Sequence, residues 1–188
     1  MTEYLLSEQA MVPLLQRLVR YPSVQTELQE EDPGVKAFIT DCVAPEIAAL
    51  GLGSGRYDGM GNLIVELGPA DADRSILFAT YAMTHQAGRM TDPFAATIID
   101  TDAGPAVRGR GVAEQKTAMT AALTAIADAH REGLAGRIIL TVLSAGETGR
   151  HTAIESVCGA LDDVPDVAII CLGTDSRIGA ANKGRIDV

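Results

Sequence analysis

Short apolar runs alternate with helical stretches along most of this chain, and no other pattern in it limits the fold as strongly. Residues 62–67, 75–80, 137–144 and 166–172 are brief, rich in Val, Ile, Leu and Thr, and bounded by Gly, Pro or Asp. Such runs are strands, and one that is apolar at almost every position is expected to be covered on both faces. Residues 137–144 are therefore read as a central strand, 166–172 as another buried strand, and 178–188 as one more. Between these runs lie helices. Residues 8–20 carry Met11, Leu14, Leu15 and Leu18 on one helical face behind Ser7 as N-cap, with Pro13 as a kink and Pro22 as a stop. Asp32-Pro33 opens a helix through Val35, Phe38, Ile39 and Cys42, broken or kinked at Pro45 and stopped at Gly51. Residues 113–132 read as a long buried helix closed by Gly133, and 152–161 as a short one. Strands alternating with helices make an α/β fold, a sheet layered with helices on both faces. Residues 81–108 show little periodicity, and segments of that length in compact domains tend to be functional or disordered.

Composition narrows the function. With 188 residues, 47% of them hydrophobic, the chain suits one domain spanning 1–188 with its own core. The formal charge of −10 repels phosphate backbones and anionic lipid, and 3 Phe, 4 Tyr and no Trp leave few platforms for stacking bases. Nucleic acid is not an expected partner. Nor is a membrane, because the N-terminus lacks a basic, apolar signal and nowhere do about 18 apolar residues run together. Cys42, Cys158 and Cys171 are odd in number and far apart, which suits reduced, buried thiols in a cytoplasm better than disulfides or a zinc knuckle.

Two glycine-rich stretches carry no nucleotide signature. Gly51-Leu52-Gly53-Ser54-Gly55 follows a helix where a dinucleotide fingerprint must follow a strand, and Gln115 stands where a phosphate loop ending in Lys116-Thr117 needs glycine. Among the three histidines, His130 falls near a helix C-terminus, where the dipole alone accounts for it. His85 and His151 sit in loops after strands, the usual place for ligand-binding side chains in an open sheet. Glu114 and Glu147 lie at strand ends or glycine turns among small residues. They are candidates for holding a divalent cation or for acid–base work, against the plainer reading that each favours a helix N-terminus.

Six ordered motifs then point to a family. The stretches 76–81, Asp92-Pro93-Phe94, Gly109-Arg110-Gly111, Ala145-Gly146-Glu147-Thr148-Gly149, Pro165-Asp166-Val167-Ala168 and Asn182-Lys183-Gly184 resemble the zinc-dependent exopeptidases and deacylases of the acetylornithine deacetylase, succinyl-diaminopimelate desuccinylase and aminoacylase type. The resemblance implies a three-layer αβα sandwich with a mixed, largely parallel central sheet, part of a catalytic domain. The same resemblance implies that the inserted lid and dimerisation domain and the C-terminal part of the catalytic domain are expected to be absent from residues 1–188. In such enzymes two zinc ions activate a water that hydrolyses an amide, and a glutamate moves the proton.

Laid on this sequence, the family pattern implies that Tyr81 stands for the first histidine ligand, Met83 for its supporting aspartate, Glu114 for the bridging aspartate and Gly146-Glu147 for a Glu-Glu pair. Leu172 stands for the next acidic ligand, and the last histidine lies beyond Val188. A phenol, a thioether, a glycine and a leucine are poor replacements for such ligands. Glu114 and Glu147 remain as candidate metal ligands, His85, His151 and Asp175 as possible substitutes, and no catalytic residue is assigned. The expected protein is a divergent relative whose di-metal site is degraded, with zinc or another divalent ion weakly bound or absent, serving as a scaffold for a small amide or amino-acid-like ligand or for a companion chain. An active amidohydrolase with re-sited ligands, or the N-terminal part of a longer hydrolase, are the alternatives, and association into a homo-oligomer would cover an exposed strand edge.

Overall fold

A computed structural model describes residues 4–174 and 177–180. Five strands form one sheet in the order β1-β2-β6-β3-β7: β1 (Arg56–Tyr57), β2 (Leu63–Leu67), β3 (Ser75–Tyr81), β6 (Arg137–Leu143) and β7 (Val167–Ile170). The pairs β6–β3 and β3–β7 are parallel, while β2 runs against both β1 and β6, so the sheet is mixed and largely parallel. Helices flank it: α1 (Glu8–Arg20), α2 (Pro33–Phe38), α3 (Ala44–Ala49), α4 (Thr117–Glu132) and α5 (Thr152–Ala160). The fold class is the α/β layering the alternating pattern implies.

Central β6, paired with β2 on one edge and β3 on the other, is buried from Ile138 to Leu143 and its apolar side chains join the core, as its largely apolar run implies. Leu14, Leu18, Val35, Phe38 and Ile39 from the N-terminal helices join Met119, Leu123 and Ile126 of α4 in the same core. Ser7 occupies the N-cap position of α1, but its backbone oxygen, not its hydroxyl, accepts the bonds from Ala10 and Met11. Pro13 is accommodated inside α1. The Asp32 side chain does cap α2, accepting from the amides of Gly34 and Val35. Pro45 lacks an amide hydrogen, and the chain passes it through a wider π turn, Ile39–Val43, that runs straight into α3.

Several sequence expectations need correction. The strand read over 166–172 is exposed, not buried: all four residues of β7 are solvent-accessible, and among the described residues only β3 pairs with it. Apolar content alone does not separate an inner strand from an uncovered edge. The aperiodic stretch 81–108 contains an antiparallel hairpin, β4 (Thr97–Thr101) and β5 (Gly104–Arg108), largely exposed and so lacking the alternation that burial imposes. The helix expected from 113 begins instead as a π turn, Val112–Lys116, before α4. None of the cysteines is buried: Cys158 is exposed, Cys42 and Cys171 are half-buried, and all three are free. Residues 178–180 form no strand, and the rest of the strand read over 178–188 lies outside the described residues.

Candidate functional site

Because β3 and β6 are parallel, their carboxyl ends open on the same side of the sheet, and the loops leaving them carry the candidate side chains. Tyr81 is the last residue of β3 and His85 lies four residues on. Glu147 sits in the turn after β6, and Glu114 in the π turn that leads to α4. Gly111 opens that π turn at φ +88°, where a Cβ would come within 2.7 Å of the Thr84 methyl, so the turn is tucked against the His85 loop in a way only glycine allows.

The site is a closed set of hydrogen bonds. The Tyr81 hydroxyl donates to Glu147 Oε1 at 2.7 Å, and His85 Nε2 lies 2.7 Å from Glu147 Oε2. Glu114 Oε1 accepts from the backbone N–H of His85 at 3.0 Å, while its Oε2 lies 3.3 Å from Arg110 Nη2. Arg110 Nε in turn donates to the His85 carbonyl at 2.8 Å. The Tyr81 hydrogen bond, with His85 beside it, holds the Glu147 carboxyl below the usual range against the opposing effect of burial. An ionised Glu147 only accepts, so the proton in the His85 contact sits on Nε2. Burial, and then Glu147, push the Tyr81 phenol far above its ordinary range.

The inner wall of this site is packed without slack. A Cβ at Gly146 would lie 2.5 Å from both Cγ and Cδ1 of Tyr81, so the ring fills the space a side chain at 146 would need. The outer wall is open: the His85 side chain is 52% and that of Glu147 41% exposed. Between them lies a cavity of about 500 Å³ lined in part by His85, Arg110, Glu114 and Glu147, with Met90 and Leu172 as apolar contributors.

The structure brings together Glu114, Glu147 and His85, which offer one ligand atom each, all within 4.8 Å of one another. Leu172 lines the same cavity, and Met83 is buried away from solvent. His151 is exposed at the start of α5 with φ +61° and is not part of this cluster, and His130 lies in the last turn of α4. Asp175 lies outside the described residues. Arg110 was read only as the middle of a Gly-Arg-Gly turn, yet it partners Glu114. Their spacing of four residues was the available signal.

No family model and no curated protein matches this sequence. Solved structures do. A metallo-carboxypeptidase of the M20 family from Sulfolobus solfataricus matches with a TM-score of 0.66 at 18% identity, over 86% of this chain and 37% of its own. This chain carries the fold of M20 metallopeptidases. Human carnosine dipeptidase 1 matches at 0.59 and 20% identity, over 86% of this chain and 38% of its own. A tripeptidase from Staphylococcus aureus matches at 0.60 and 17% identity, over 87% and 43%. The chain thus spans less than half the length of each. Among the described residues no helix is long and apolar enough to cross a membrane.

Proposed function

We propose that this protein is a divergent M20-type domain whose two-ion centre has been dismantled and whose cavity now serves as a binding site for a small amide or amino-acid-like molecule. The observation that carries the reading is the contact between Tyr81 and Gly146. At the two positions where the family resemblance places a histidine ligand and a general base stand a phenol and a glycine, and the ring of the first excludes a side chain at the second. The surviving carboxylates are likewise engaged, Glu147 by Tyr81 and His85, Glu114 by Arg110 and the His85 amide.

This donor set does not suit two ions. Met83 and Leu172 offer no hard donor, Gly146 offers none, and Glu114 is tied to a cation of the protein itself. Loss of a general base alone costs about 10²- to 10⁴-fold in rate. Turnover of N-acyl amino acids and dipeptides, assayed with added zinc, cobalt or manganese, is expected to stay at background. Metal-dependent hydrolysis of any member of such a panel, abolished by Glu147→Ala, would overturn the reading.

A second reading is favoured by the cluster of His85, Glu114 and Glu147, whose number and donor types match a three-ligand, single-ion site. When bound there, a divalent ion would supply Lewis acidity and an acidified water. For the protein's own residues, loading requires His85 Nε2 to give up its proton and Glu114 to release Arg110. The exposed apolar β7, with Ile170 69% accessible, supports association with a further polypeptide or a second copy.

A further inference from the structure

We propose that residues 18–30 act as a positioning strap that holds the segments bearing Glu114, His85 and Glu147 in fixed relation to one another. The inference rests on reading those three residues as one site, and it concerns how their geometry is set rather than what they bind. Sequence gives no hint of it, because the three segments come from different parts of the chain.

The first anchor is at the Glu114 turn. Lys116, two residues further on and fully buried, donates from Nζ to the carbonyls of Leu18 and Tyr21 at 2.8 and 2.9 Å and lies 4.2 Å from the centre of the Phe38 ring. A buried ammonium or amine spent on two main-chain oxygens fixes the π turn to the end of α1. The second anchor brackets His85. Ser23 Oγ donates to the Ala82 carbonyl at 2.7 Å, Thr84 N–H donates to the Ser23 carbonyl and Gln25 N–H to the Thr84 carbonyl, both at 2.8 Å. Val24 and Thr84 thereby form a parallel bridge, and Gln86 Nε2 donates to the Gln25 carbonyl at 2.9 Å. Both neighbours of His85 are thus tied to the strap.

The third anchor is at the Glu147 turn. Glu30 is 3% exposed, and its Oε1 accepts from the Thr148 hydroxyl at 2.5 Å while Oε2 lies 3.9 Å from Arg150. Burial opposes its ionisation, but Thr148, its own amide and Thr152 outweigh that and hold the carboxyl below its usual range. Next to it Gln29 adopts φ +51° and buries an amide oxygen without a partner. A residue in that left-handed region persists where its surroundings hold it there.

Each anchor therefore falls within three residues of a site side chain, and one short segment joins all three. A purely local role would make each contact matter only where it is made. A strap makes the loss of one anchor felt at the others.

Amide hydrogen exchange by NMR on the full chain without added metal separates the two. Glu30→Ala and Thr148→Val cut the strap at the Glu147 turn, and the distant amides of Thr84 and His85 are read. They are expected to exchange about ten-fold faster, with the β6 amides from Leu140 to Val142 unchanged. Gln86→Ala cuts an exposed contact at the middle anchor and is expected to accelerate the amides of Arg150 and Glu155 by about three-fold. Glu30→Gln, which keeps an acceptor for Thr148, is expected to restore most of the protection at Thr84 and His85. Acceleration confined to the segment whose own contact was cut would overturn the proposal. If Glu30→Ala fails to fold, Thr148→Val and Gln86→Ala decide it. Because exchange reports neither ion binding nor turnover, failure here leaves the proposed function standing, and a metal-loaded active protein would leave the strap standing.

Discussion

The two walls of the same cavity are built on opposite principles. The inner wall is made of Tyr81, Gly146 and, behind the π turn, Lys116, all packed so closely that a single added carbon or lost donor is felt. The outer wall is made of His85 and Glu147, joined by a short hydrogen bond but open to water. Proteins keep chemistry adaptable where solvent can rearrange around it and rigid where it cannot. The inner wall therefore records what the fold has given up, and the outer wall what it can still do.

Substitutions that sharpen this contrast range from severe to slight. Gly146→Glu forces a side chain into the Tyr81 ring and is expected to destabilise by about 3 kcal/mol, the upper end of overpacking. Combined with Tyr81→Ala, which removes Cγ and Cδ1, the penalty is expected to shrink well below the sum, read as the coupling in a urea-unfolding double-mutant cycle. Additive penalties would break the contrast, since the two positions would then not share one space.

Lys116→Met leaves the Leu18 and Tyr21 carbonyls unpaired and is expected to cost about 2 kcal/mol. Burial pulls Lys116 down to about 7, so between roughly pH 7 and the ordinary lysine value near 10.4 the unfolded chain binds a proton that the folded one does not. The contribution of Lys116 should accordingly grow with pH across that window, so the stability gap between wild type and Lys116→Met should widen as pH rises, as followed by denaturant melts of both at several pH values.

Tyr81→Phe bridges the two walls. It removes a hydrogen bond to an ionised but partly exposed carboxylate, so a cost of about 1 kcal/mol is expected at neutral pH. Glu147 is held below its ordinary range in the folded protein, so its contribution is present above the unfolded carboxylate value and fades as pH falls through the folded one. The difference between wild type and Tyr81→Phe should close on acidification. His85→Ala, on the exposed wall, is expected to change stability by less than about 0.5 kcal/mol in the same melts, while removing the nitrogen donor from the cluster.

Much of this molecule could be read from its residues. The apolar run of β6, the Asp32-Pro33 helix start and the placement of Glu114 and Glu147 at strand and turn ends all follow from local pattern, because burial and backbone geometry imprint themselves on sequence nearby. What escaped has one cause, dependence on distant partners. β7 looks like an inner strand until its exposure is known, the exposed β4–β5 hairpin leaves no alternation, and Glu30 and Lys116 find their roles in residues far from where composition would direct attention. The exclusion between Tyr81 and Gly146 spans 65 positions, and only the fold brings them together.

Metal content tests the central claim most directly. Protein loaded with excess zinc, passed through a desalting column and measured by inductively coupled plasma mass spectrometry together with its concentration should retain fewer than one ion per chain, or one at most if His85, Glu114 and Glu147 act together. Two ions retained per chain would show that the paired-metal centre survives behind Tyr81 and would contradict the account.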